Sequence, residues 1–234
     1  MTPSNKQTAR AAGLAYLVVI LTGVFSLLYV PSQLITMDDP AATVGNITAS
    51  ETLFRLGLAS GLICYSFFVV LPVVLYKLLE AAGRMSAALM VLFAVASVPI
   101  AFIAIMQKVA ILSLIGQEGA AGGLTADQVQ TQVMRLLELY NSGIFVASVF
   151  WGLWLLPFGY LVFRSGILPR IFGVLLMLGC GGYLMTAFGS LLFPGYVDTI
   201  LPTIAGIPSG LGEIGICLWL LIMGAQERPT ARTA

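Results

Sequence analysis

Six stretches of the chain stay apolar long enough for a helix to cross a bilayer. A helix rises about 1.5 Å per residue, so about 20 apolar residues cover a hydrocarbon core of about 30 Å. Residues 11–30 carry no charge, and residues 53–76 carry only Arg55. Residues 85–107, 139–163 and 171–193 follow, separated by charged segments. The last stretch, residues 207–225, contains Glu213. The turns at 77–84 and 164–170 are short, which makes the helices they join antiparallel neighbours. The pattern predicts an all-α polytopic bundle of six transmembrane helices. It forms one domain over residues 1–234, without a linker or low-complexity tract.

The first stretch follows Lys6 and Arg10, as a secretion signal would. Its apolar run is too long for a signal core of about 7–15 residues, and no A-x-A site follows, so it is expected to stay as the first helix. Lysine and arginine then set the orientation. With the N-terminus inside, Lys6, Arg10, Lys77, Arg84, Arg164, Arg170, Arg228 and Arg232 lie on the inner side. Arg55, Lys108 and Arg135 lie on the outer side. The acids sort the other way, with Asp38, Asp39, Glu51, Glu118, Asp127, Glu138 and Asp198 outside and Glu80 and Glu227 inside. Both termini are expected to be cytoplasmic.

Two helix starts carry a capping signature, in which a hydroxyl and a longer side chain three residues on satisfy each other's backbone N–H groups. Thr48 with Glu51 places a start near Ala49, and Thr125 with Gln128 places one near Ala126. The fourth helix then extends well beyond the membrane on the outer side. Val129, Val133, Leu136, Leu137 and Tyr140 form an apolar stripe on that extension. The stripe is expected to pack on a loop at residues 31–47. Pro72 before the first inner turn and Pro157 before the second hint at a parallel repeat of two hairpins.

Composition narrows the chemistry. The chain is 59% hydrophobic and 9% charged, with a mean hydropathy of +1.00. A soluble domain carries about 25% charged residues. A soluble enzyme and a disordered chain are excluded. There is no histidine, which removes Ser-His and Cys-His catalysis, histidine-based zinc sites and histidine proton relays. Cys64, Cys180 and Cys217 stand alone in apolar runs and read as packing residues, so no metal site is signalled. The net charge is +1 with no basic block, which argues against nucleic acid. No cofactor is implied and no catalytic residue stands out. The expected surroundings are the lipid bilayer, with a small ligand or a membrane protein as possible partners.

Residues 210–215 fit G-x-G-x-x-G, but a dinucleotide site needs a preceding strand and an acid further on. Close helix packing is the better reading, as for Gly57 with Gly61 and Gly206 with Gly210. Residues 206–210 look like a serine protease motif of the rhomboid type. The spacing is off by one and no histidine can serve as base. Trp151, Trp154 and Trp219 read as core or lipid-facing side chains, with a ligand pocket as the alternative. Asn46-Ile47-Thr48 is a sequon that reads as loop and cap.

Glu213 requires an explanation. An ionisable residue within a span is costly and usually has a partner in the bundle interior. It lies about six residues from the outer end of its span, roughly 9 Å deep. The outer cations Arg55, Lys108 and Arg135 are the candidate partners. Arg55 is preferred because it sits in the first turns of helix two and can pair in bidentate fashion. The pair is either structural or a site for a proton, cation or substrate. Residues 194–208 are expected to cap it, broken by Pro194, Pro202 and Pro208.

The chain resembles the bacterial multi-pass family known as domain of unknown function 4386, over nearly its whole length. The likeness is carried by Arg10-x-x-Gly13-x-x-Tyr16, Asn46-Ile47, and Glu51-x-Leu53-Phe54-Arg55-x-Gly57. It continues through Gly152-Leu153-Trp154-Leu155-x-Pro157-x-Gly159-Tyr160-Leu161 and Ser165-x-x-x-Pro169-Arg170-x-x-Gly173. Gly212-Glu213, Trp219-Leu220 and Gly224 complete it. The resemblance implies six spans in a bacterial plasma membrane and brings no activity. Two function classes follow. One is binding or transport of a small molecule, ion or proton at Glu213 and Arg55. The other is a non-catalytic sensor or assembly subunit acting through membrane partners.

Overall fold

A computed structural model describes residues 5–115 and 123–226. Glu118, Glu227, Arg228 and Arg232, used above to sort charge, lie outside the described residues. Among the described residues there are helices and turns and no strand. Helix α1 is Asn5–Leu34, with a π-helical turn at Phe25–Tyr29. Helix α2 is Pro40–Ala49 and α3 is Glu51–Leu79, followed by a 3₁₀ turn at Glu80–Ala82. Helix α4 is Arg84–Ile115, α5 is Ala126–Ser165, α6 is Arg170–Leu192 and α7 is Leu201–Ile222. All but α2 are long and apolar enough to cross a membrane. Leu21, Leu92, Leu178 and Leu211 lie exposed along them. An apolar surface repeated on every long helix suits lipid rather than water.

The predicted six spans stand, and several boundaries move. The second capping signature is real: Thr125 N–H donates to Gln128 Oε1 at 2.9 Å, and Gln128 N–H donates to Thr125 Oγ1. Helix α5 starts at Ala126 and runs 40 residues, about 60 Å. The first signature is not a cap. Thr48 lies inside α2 and donates to the Val44 carbonyl, and the next helix starts at Glu51. Residues 31–47 are not a loop either. Val30–Leu34 continues α1, and α2 starts at Pro40, where Asp39 accepts the Ala42 N–H. Proline in the first helical turn costs no hydrogen bond and presets φ. For the same reason Pro202 opens α7 instead of breaking it; Pro208 lies inside that helix, which continues through it.

The chain divides into two compact units, and α1, α3, α4 and α5 contribute residues to both. One unit comprises Val19–Ser66 and Val98–Ala147. Here α1 and α3 approach through small residues. Ser60 Oγ donates to the Thr22 carbonyl at 3.1 Å, and Cys64 Sγ donates to the Val19 carbonyl. An added Cβ at Gly57 would lie 2.9 Å from Val30, and one at Gly61 would lie 3.2 Å from Ile105. Their predicted packing role holds. Val129, Val133, Leu137 and Tyr140 of the α5 stripe are buried in this unit.

The other unit comprises Met1–Val18, Phe67–Ser97 and Ser148–Ala234. Its core is aromatic. Trp154 stacks on Phe158 with centroids 5.2 Å apart and takes the edge of Phe68 at 5.2 Å. Trp154 is core, while Trp219 tilts against Phe172. Glycines let the helices close. A Cβ at Gly159 would lie 2.6 Å from the Gly173 carbonyl, and one at Gly182 would collide with the Ala205 carbonyl. Within the G-x-G-x-x-G run, Gly212 packs on Leu175 and Leu176, and Gly215 packs on Phe172. Gly206 and Gly210 do not pack as expected, since a Cβ on either meets nothing within 4 Å.

Candidate functional site

In the second unit α1 and α7 meet along an antiparallel seam. Arg10 Nη2 donates to the Ile222 carbonyl at 3.4 Å. A Cβ on Gly13 would lie 2.5 Å from the Leu221 backbone nitrogen, and Cys217 Sγ donates to the Gly13 carbonyl at 3.6 Å. One turn on, Tyr16 Oη donates to Glu213 Oε2 at 2.8 Å. Residues 10, 13 and 16 share one face of a helix, and their partners descend along α7 as they ascend. Small groups at Gly13 and Cys217 bring the backbones close, and that closeness lets a tyrosine reach the carboxyl.

Tyr16 is fully buried, with Trp154 at 6.0 Å and Phe158 at 6.5 Å between ring centroids. Its phenol is thereby fixed in one direction. Glu213 itself is partly exposed, and Tyr183 of α6 lies within electrostatic range of its carboxyl. Among the described residues no basic group pairs with Glu213. The carboxyl therefore has one fixed donor and spare acceptor capacity. No cluster of metal-ligating side chains occurs among the described residues.

The expected partners are placed elsewhere. Arg55 Nε donates to Glu51 Oε1 at 2.6 Å, an exposed pair four residues apart on α3. Such a pair forms within one helix turn, without any tertiary requirement. Lys108 is buried and sets its ammonium 3.8 Å from the centroid of the Tyr140 ring. Arg135 is exposed on α5. The contacts present are Arg55 with Glu51 and Glu213 with Tyr16, each within its own unit. Sorting by charge hid Tyr16, because a neutral phenol does not enter a charge count. The three-residue spacing Arg10, Gly13, Tyr16 was the available signal.

Six helices long and apolar enough to cross a membrane, the last of them carrying a carboxyl, define a multi-pass membrane protein. The chain matches the family described as domain of unknown function DUF4386 over residues 11–224, and belongs to it. An uncharacterized protein of Archaeoglobus fulgidus is 30% identical over 90 residues, covering 38% of this chain and 51% of that protein. The chain thus spans about half the length of that relative. No solved structure matches the chain.

Proposed function

We propose that Glu213, held by Tyr16, is a binding site for a proton or a small cation, and that the protein carries or senses that ion without catalysing a reaction. One observation supports this reading: an intramembrane carboxyl receives a single fixed hydroxyl donor at 2.8 Å and no cation of the protein among the described residues. A carboxyl in a span without a counter-ion has to take one up or hold a proton. Arg55 is left out of the proposed site because its guanidinium is paired with Glu51. The proposal places the protein in a bacterial plasma membrane, as the family resemblance implies, with both termini cytoplasmic, as the sorting of lysine and arginine implies. The alternative, a non-catalytic sensor or assembly subunit acting through membrane partners, calls for an exposed apolar outer patch, for which the α5 extension is the candidate. Val129, Val133 and Leu137 are buried there, so ion binding is preferred.

Dicyclohexylcarbodiimide, an apolar reagent for carboxylic acids in membranes, tests the reading. Purified protein should gain one adduct at Glu213, absent from Glu213→Gln, and the bound cation or a shift to alkaline pH should slow the reaction. Failure of Glu213 to react while surface acids do would reject the site.

A further inference from the structure

Helices α6 and α7 touch along one line and part along another. They touch where Gly182 meets the Ala205 carbonyl and Gly179 meets Ser209. Beside that line Gly182, Tyr183 and Thr186 of α6 face Pro202, Gly206 and Ser209 of α7 across a groove of about 230 Å³. Gly206 keeps it open, because an added Cβ there meets no atom within 4 Å.

The lining is chemically one-sided. It has no basic side chain and one aromatic ring, Tyr183. Ser209 donates its hydroxyl hydrogen to the Gly206 carbonyl at 2.8 Å and presents its oxygen as an acceptor. Glu213 follows Ser209 by one turn of α7, about 6 Å along the axis. Tyr183 therefore belongs both to the groove wall and to the surroundings of Glu213. An anion would find the hydroxyls of Thr186 and Tyr183 but no positive charge, and would face the Glu213 carboxyl. A neutral apolar molecule would leave the carboxyl unserved. A cation with an apolar body satisfies every part: its charge is drawn by the carboxyl and the phenol ring, and its body lies against Tyr183, Pro202 and glycine backbone.

We propose that this groove binds a small organic ammonium ion, with its charged head toward Glu213. The inference rests on Glu213 being a cation site and adds the ligand class and the place where its body lies. The volume is below the roughly 300–1,000 Å³ of drug-sized pockets, which limits the body to one ring or a short chain.

The test uses the full chain in detergent and benzylammonium as probe, with benzyl alcohol and benzoate as neutral and anionic controls of the same shape. Calorimetric titration should show saturable binding of benzylammonium, at least about tenfold tighter than either control. Gly206→Leu fills the groove where the fold has room, so its melting temperature should stay within about 2 °C of the parent. It should weaken benzylammonium at least about tenfold, and Glu213→Gln should do the same. Benzylammonium that binds no better than benzyl alcohol overturns the proposal. So does full binding by Gly206→Leu or by Glu213→Gln. Carbodiimide labelling separates the two readings. If Glu213 reacts while benzylammonium does not bind, the groove inference fails and the cation site survives. If Glu213 does not react, the cation site fails as well.

Discussion

Tyr16 and Glu213, 197 positions apart in sequence, are joined by a 2.8 Å hydrogen bond that ties the first long helix to the last. The bond sits at one end of a seam in which Gly13 touches the Leu221 backbone. Its strength depends on that seam, because a rigid phenol cannot follow a carboxyl that moves away. The pair is therefore a gauge of how the two helices are held.

Removing the phenol hydroxyl should be costly. Tyr16→Phe leaves the carboxyl without its donor, a loss of about 1–3 kcal/mol for a poorly solvated polar group. Tyr16→Phe and Glu213→Leu, which remove the donor and the acceptor, should each lower the melting temperature in detergent, and the double variant should show less than the sum. Arg55→Met removes only an exposed pair and should change stability by at most about 1 kcal/mol. A larger loss for Arg55→Met than for Tyr16→Phe would restore Arg55 as the partner of Glu213.

The glycines give a sharper contrast. Gly13→Ala pushes a methyl group into the Leu221 backbone, which cannot yield as a side-chain tip can. Overpacking of this kind costs about 1–3 kcal/mol. Gly206→Ala meets open space within a helix, where alanine is favoured over glycine by up to about 1 kcal/mol. Thermal unfolding should place the two variants on opposite sides of the parent. Both on the same side would mean that α1 and α7 do not pack through Gly13.

The six spans were legible in the sequence because lipid tolerates few charges, and charged segments mark most of the boundaries. The start of α5 was legible too, since Thr125 and Gln128 are local partners. Thr48 and Glu51 have the same spacing and gave the wrong boundary. Asp39 and Pro40 had already started a helix through that point, and Thr48 found a carbonyl one turn back. The site was half legible. Glu213 stood out by its charge, but its partner depended on which helices become neighbours. Charge favoured Arg55, whereas packing chose Tyr16. The groove was hidden for a related reason: Gly206 and Gly182 look alike in sequence, and only the fold shows one facing space and the other facing backbone.

Lys108 offers a test of a buried cation without a carboxylate. Its ammonium rests on the Tyr140 face, and such a contact contributes about 0.5–2 kcal/mol. Tyr140→Leu should destabilise the protein by that amount or more, since it leaves the ammonium with no compensating surface. Lys108→Met removes the charge and keeps the apolar stem, so it should be neutral or stabilising. The combined variant should recover most of the loss caused by Tyr140→Leu. A strong loss for Lys108→Met alone would mean that the ammonium serves a further acceptor.

Orientation can be tested at three exposed positions, Asp38, Ala81 and Asp198, and at the half-buried Ser165. Asp38 and Asp198 lie at helix connections on the side assigned to the exterior, and Ala81 and Ser165 lie at the turns assigned to the cytoplasm. The assignment follows the basic residues: Lys77, Arg84, Arg164 and Arg170 all cluster at the latter turns, and short loops rich in lysine and arginine remain inside. Cys64, Cys180 and Cys217 are buried, so their replacement by alanine or serine gives a background for single cysteines. In intact cells a membrane-impermeant maleimide should label Asp38→Cys and Asp198→Cys but not Ala81→Cys or Ser165→Cys. Permeabilised cells should label all four, which shows that the inner pair is reactive and not merely shielded. Labelling of the inner pair alone in intact cells would invert the topology. Glu213 would then be reached from the cytoplasm instead of the exterior, and a carrier or sensor built on it would face the opposite ion pool.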